Sequence, residues 1–123
     1  MARLHAAGAW HGAAQARNFT RHEGGIGLID FEDEIEPVMP LADRQGRDVV
    51  LLLLSAARYL DADGMTALTR AAHEATTPAA WATVDGLAER VAPLHRLTRR
   101  PVARLGRDGA AIAAMFDALA AAR

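Results

Sequence analysis

His11-Gly12-Ala13-Ala14-Gln15-Ala16-Arg17-Asn18, followed by Phe19 to Glu32 (FTRHEGGIGLIDFE), is the stretch from which the rest of the chain is read. Residues 11–17 are a polar loop. Asn18-Phe19-Thr20 reads as a short strand, Arg21-His22-Glu23-Gly24-Gly25 supplies turn residues, and Ile26-Gly27-Leu28-Ile29 reads as a second strand ending on Asp30-Phe31-Glu32. Two short apolar runs joined by a glycine-containing loop predict a β-hairpin. Asn18 enters the first strand and Asp30 leaves the second, so antiparallel pairing returns both to one end. An amide oxygen and a carboxylate converging there form a candidate site for a hard cation.

The surrounding chain is predicted to be helical. Of its 123 residues, 51% are hydrophobic and only 5% aromatic, and the dominant Ala and Leu lose least on entering a helix. Leu41 to Leu60 is the strongest helix, with Asp43 as a candidate N-cap and Val49-Val50-Leu51-Leu52-Leu53-Leu54 leaving little polar face. A helix apolar nearly all round belongs at the centre of a domain. Asp61-Ala62-Asp63-Gly64 reads as the turn that ends it, without the ligand ladder of a calcium loop. Further helices are expected at Met65–Ala75, Ala79–Ala92 and Asp108–Ala122, with Arg96–Leu105 as an additional helical candidate. Thr76-Thr77-Pro78, Pro93 and Gly106-Arg107-Asp108-Gly109 mark the breaks. Trp81, Val84, Leu87, Ala88 and Val91 recur at helical spacing and read as core. The expected fold is a single domain over 1–123, mainly α with one short hairpin. Its loop and metal-motif region is 1–36, the central buried helix 41–60, and the C-terminal helices 64–123.

The loop and hairpin together resemble the protein-kinase-like fold, in particular its small atypical bacterial members and the aminoglycoside phosphotransferases. The catalytic loop of that family reads H-G-D-x-x-x-x-N or H-R-D-x-x-x-x-N, and a D-F-G, D-F-E or D-F-D follows one hairpin later. His11, Gly12 and Asn18 fall in register with the first motif and Asp30-Phe31-Glu32 with the second; Leu4-His5 is similar to the end of the helix entering the loop. The resemblance covers roughly residues 1 to 60. It implies the C-terminal lobe of a kinase-like fold, phosphoryl transfer from ATP, and magnesium held by Asn18 and Asp30, with Glu32 as a further candidate ligand. Asn18 and Asp30 are likewise the candidate nucleotide-binding residues.

Two departures bear on activity. Ala13 stands where the family has its catalytic Asp and can neither accept a proton nor orient a hydroxyl. The chain begins inside the presumed loop-entry helix, and its fourteen cations include no lysine, whereas a kinase holds the phosphates with a glycine-rich loop and a strand lysine. The expectation is a lobe inactive alone. The remaining candidates for a catalytic part are His11, as an imidazole in the loop, and Gln15, which can orient water or a hydroxyl. In the kinase pattern the loop's first histidine supports backbone geometry and packs near the D-F-x phenylalanine, and an exposed loop glutamine is the plainer reading of Gln15. Arg17 suits a phosphate or a surface ion pair. His5 reads as a structural residue. Asp48 is the candidate for a family carboxylate that accepts hydrogen bonds from the loop backbone; a first-turn acid favoured by the helix dipole is the other reading.

Residues 30–36 carry five carboxylates. Most read as a solvated acidic loop, and a divalent cation is one way to relieve their repulsion. No Ser, Thr or Tyr lies between Phe31 and Asp48, so loop phosphorylation has no acceptor there. The absence of cysteine excludes disulfides and thiolate chemistry. A net charge of −1 gives no global case for nucleic-acid or membrane attraction. The basic run His95-Arg96-Leu97-Thr98-Arg99-Arg100 lacks the interleaved aromatics of a nucleic-acid surface but suits a phosphate or a partner. With neither a signal core nor a spanning segment, the expected location is cytoplasmic. The alternative to a nucleotide-binding lobe is a pseudokinase-like interaction domain, its open face covered by a partner chain or a second copy.

Overall fold

A computed structural model describes residues 1–31 and 39–122. Among them are five α-helices, α1 (Ala2–Ala6), α2 (Leu41–Ala56), α3 (Ala62–Ala75), α4 (Pro78–Ala103) and α5 (Gly106–Ala121), and one antiparallel hairpin, β1 (Phe19–His22) with β2 (Gly25–Leu28). The protein is therefore mainly helical with a single two-stranded sheet. A 3₁₀ turn over Ala16–Asn18 leads into β1.

α2 packs against α3, α4, α5 and the 3₁₀ turn. Its apolar run places Val49 and Leu53 at i and i+4 on one face, both fully buried against Met65, Val84, Met115 and Leu119. Gly46 permits the closest approach of α4: a Cβ there would lie 2.7 Å from the Ala80 carbonyl oxygen and 2.7 Å from Thr83 Cβ. At the other end of the bundle, Gly109 lies so close to the Val102 carbonyl that no Cβ fits. His73 stacks on Trp81 at 4.5 Å, and His95 joins α4 to α5 through Asp117 at 3.0 Å.

Several expected boundaries move. α2 stops at Ala56 rather than Leu60, and Ala57–Tyr59 form a turn. Asp43 is not its N-cap: the helix starts at Leu41 behind Pro40, and Asp43 instead accepts a 2.7 Å hydrogen bond from the Thr83 hydroxyl on α4. Asp61 opens a helix rather than closing one, since its carboxylate caps the Gly64 N–H at 2.8 Å and α3 begins at Ala62. β1 runs on to His22, leaving a two-residue turn of Glu23-Gly24.

The largest change is at Pro93. The expected break does not occur, and α4 runs unbroken for 26 residues with Pro93 and Pro101 inside it. A proline frees the carbonyl four residues earlier. Here those are Glu89 and Leu97, both exposed, so water can satisfy the carbonyls and the helix continues. Among the described residues no helix is long and apolar enough to cross a membrane.

Candidate functional site

The polar loop is pinned to the middle of α2. The Asp48 carboxylate is fully buried and accepts backbone hydrogen bonds from His11 at 2.6 Å and Gly12 at 2.9 Å. Its Oδ2 also lies 3.1 Å from Nε2 of His5, itself buried at the end of α1. A buried carboxylate is tolerated only when its lone pairs are used, and three donors use them here. Gly12 turns at φ +84°, a backbone shape that favours glycine. One helical turn before Asp48, Gln45 donates from Nε2 to the carbonyls of His5 (2.9 Å) and Ala9 (3.0 Å). Gln45 was not among the residues singled out from the sequence. Its one available signal was its place at i−3 from Asp48, on the same helix face.

The loop interior is equally constrained. His11 is fully buried; its Nδ1 accepts from the Ala13 N–H at 3.2 Å, and its ring stacks on Phe31 with centroids 4.4 Å apart. Ala13 and Ala14 are buried. The Ala16 N–H donates to Ser55 Oγ at 2.8 Å, which fastens the 3₁₀ turn to the C-terminal half of α2. Gln15 is half-buried and lines a cleft of about 250 Å³ with Arg17, Arg58 and Tyr59. Trp10 lies under the Arg44 guanidinium, 4.3 Å from the ring centroid.

Asn18 and Asp30 lie at one end of the hairpin. The last β pair is Phe19 with Leu28, and one step beyond it the Ile29 N–H donates to the Asn18 carbonyl at 3.0 Å. Asn18 is buried, and its Nδ2 donates to the Ala13 carbonyl at 2.8 Å. That bond fixes the amide so that Oδ1 remains as the acceptor. Asp30 follows with φ +61°, the one non-glycine residue in the left-handed region among those described. Aspartate tolerates this backbone better than most residues, and such outliers concentrate at functional sites. Glu32 lies outside the described residues.

No group of three or more His, Asp or Glu among the described residues is placed to hold a metal ion. One carboxylate and one amide oxygen do not make a protein cage. They do fit magnesium, which keeps several waters and takes its other ligands from phosphates. Comparison with protein-family models, curated proteins and solved structures finds no match for the chain.

Proposed function

We propose that this chain is the catalytic-loop half of a kinase-like phosphotransferase site, retaining its magnesium–nucleotide ligands but not its catalytic carboxylate. The observation that carries the reading is the anchoring of the loop by Asp48. A buried carboxylate from the central helix takes the N–H groups of the two residues that open an H-G-x-x-x-x-x-N loop. The His11–Phe31 stack, which ties that loop to the D-F-x end of the hairpin, supports it independently.

On this reading Asn18 Oδ1 and the Asp30 carboxylate hold the cation, and bound magnesium neutralises charge on the phosphates. Asp48, His5 and Gln45 keep the loop backbone in place. His11 positions the loop and packs under Phe31. With a methyl group at Ala13, no side chain at that position receives a hydroxyl proton, and Gln15 is the nearest loop residue able to orient an acceptor. The chain binds nucleotide and does not turn it over unaided. Calorimetric titration with ATP and magnesium, repeated after EDTA and with Asp30→Asn, tests this. Magnesium-dependent binding that disappears in the variant is expected. Absence of binding to the unaltered chain overturns the reading.

A second reading, a non-catalytic interaction domain, is favoured by one observation. Ile26 in β2 and Ile29 and Phe31 beyond it are 71%, 50% and 51% exposed, apolar side chains suited to cover by a partner chain or a second copy.

A further inference from the structure

The net charge of −1 conceals a segregation. Residues 90–107 hold six arginines and no carboxylate, which leaves eight arginines against all fifteen carboxylates elsewhere. The structure places this basic segment at the corner where α4 passes into α5. The buried residues of α4 end at Ala88, and no residue from 89 to 108 is buried. Leu94 and Leu97 are 61% and 82% exposed, and Leu105 beyond the helix end is 76% exposed. Leu94, Leu97 and Pro101 stand at i, i+3 and i+7, on one face of α4.

We infer that this corner docks on an anionic lipid bilayer surface, with the leucines entering the acyl boundary and the arginines meeting lipid phosphates. Interfacial helices combine such an apolar ridge with basic residues and low overall hydrophobicity. Arginine suits the geometry because its stem can lie along apolar surface while the guanidinium forks onto phosphate. Nucleic acid shares the phosphates but offers nothing for three exposed leucines, and the segment has no Phe, Tyr or Trp on which a base could stack. The inference does not depend on the kinase-like reading.

The test is sedimentation of the full chain with vesicles of equal parts phosphatidylglycerol and phosphatidylcholine, against phosphatidylcholine alone and against duplex DNA. Binding to the anionic vesicles is expected, weakening as salt is raised. Each arginine near the surface is worth about fivefold in affinity, so Arg96→Gln with Arg100→Gln lowers binding by about twentyfold to thirtyfold. Arg99 is left in place because it pairs with Asp117. Leu94→Ser with Leu97→Ser keeps the charge, and with both leucines exposed it lowers the thermal unfolding midpoint by only a few degrees; it should still reduce binding at least tenfold. No binding to anionic vesicles overturns the proposal. So does binding that the leucine variant retains in full, or DNA binding as tight as vesicle binding.

Discussion

The carboxylate of Asp48 accepts a 2.6 Å hydrogen bond from the backbone nitrogen of His11, a residue 37 positions earlier in the chain. This bond and its neighbour to Gly12 make the loop a fixture of the bundle, and its energetics can be read from what removal leaves behind.

Asp48→Ala strands two buried N–H donors, each costing about 1–3 kcal/mol when unsatisfied. A loss of about 3–5 kcal/mol is expected, large against the usual stability of a domain this size. Urea unfolding followed by circular dichroism measures it. Asp48→Asn retains one acceptor oxygen and falls between the two. An unchanged urea midpoint for the alanine variant would show that something else holds the loop.

Two glycines inside helices are expected to respond with opposite signs to the same substitution. Helix propensity alone favours alanine over glycine by about 1 kcal/mol. A Cβ built at Gly86 meets nothing within 4 Å beyond its own stretch of helix among the described residues, so Gly86→Ala stabilises by about 0.5–1 kcal/mol. At Gly46 the same methyl meets the Ala80 carbonyl and Thr83. Forcing α2 from α4 costs about 1–3 kcal/mol, which outweighs propensity, and Gly46→Ala lowers the melting temperature.

Thr69 is fully buried in α3, and its hydroxyl has no hydrogen-bond partner among the described residues. Valine has nearly the same shape without the polar atom. Thr69→Val is expected to raise stability by about 1 kcal/mol, measured as a shift in the denaturant midpoint at constant slope. A decrease would mean that the hydroxyl is satisfied in solution.

Asp30 separates backbone from ligand chemistry. Asp30→Gly relieves a left-handed backbone but adds freedom to the unfolded chain, and the two effects nearly cancel, to within about 0.5 kcal/mol. Asp30→Val keeps the strain and adds branching at Cβ, costing about 1–2 kcal/mol. Both remove the carboxylate, so both abolish magnesium-dependent nucleotide binding under the proposed function. A glycine variant that binds nucleotide like the parent would remove Asp30 from the site.

The hairpin was legible because its signals are local: glycines between two apolar runs, with polar residues at the outer ends. The apolar run of α2 was legible as six consecutive hydrophobic residues, but not which of them face the core: Val49 and Leu53 are fully buried while Val50, Leu51, Leu52 and Leu54 are half-buried. The course of α4 was not legible. Whether a proline ends a helix depends on where the freed carbonyl points, and the exposure of Glu89 and Leu97 is a property of the assembled bundle. Asp43 reads as a cap in the sequence because a first-turn acid looks like one until Thr83 is placed opposite it. Gln45 carries little signal beyond its spacing from Asp48, because its partners, His5 and Ala9, offer main-chain carbonyls about forty residues away. Backbone acceptors leave no trace in composition.

The contacts that α2 makes with the loop and the segment leading into it end mostly on peptide groups: the N–H of His11, Gly12 and Ala16, and the carbonyls of His5 and Ala9. Peptide groups are common to nearly every residue type. The side chains of Gln15 and Arg17 therefore contribute little to the path that the loop follows, and substitution there is expected to leave the support folded. Under the proposed function, the residues at these positions could be exchanged while the same carboxylate went on holding the same turn.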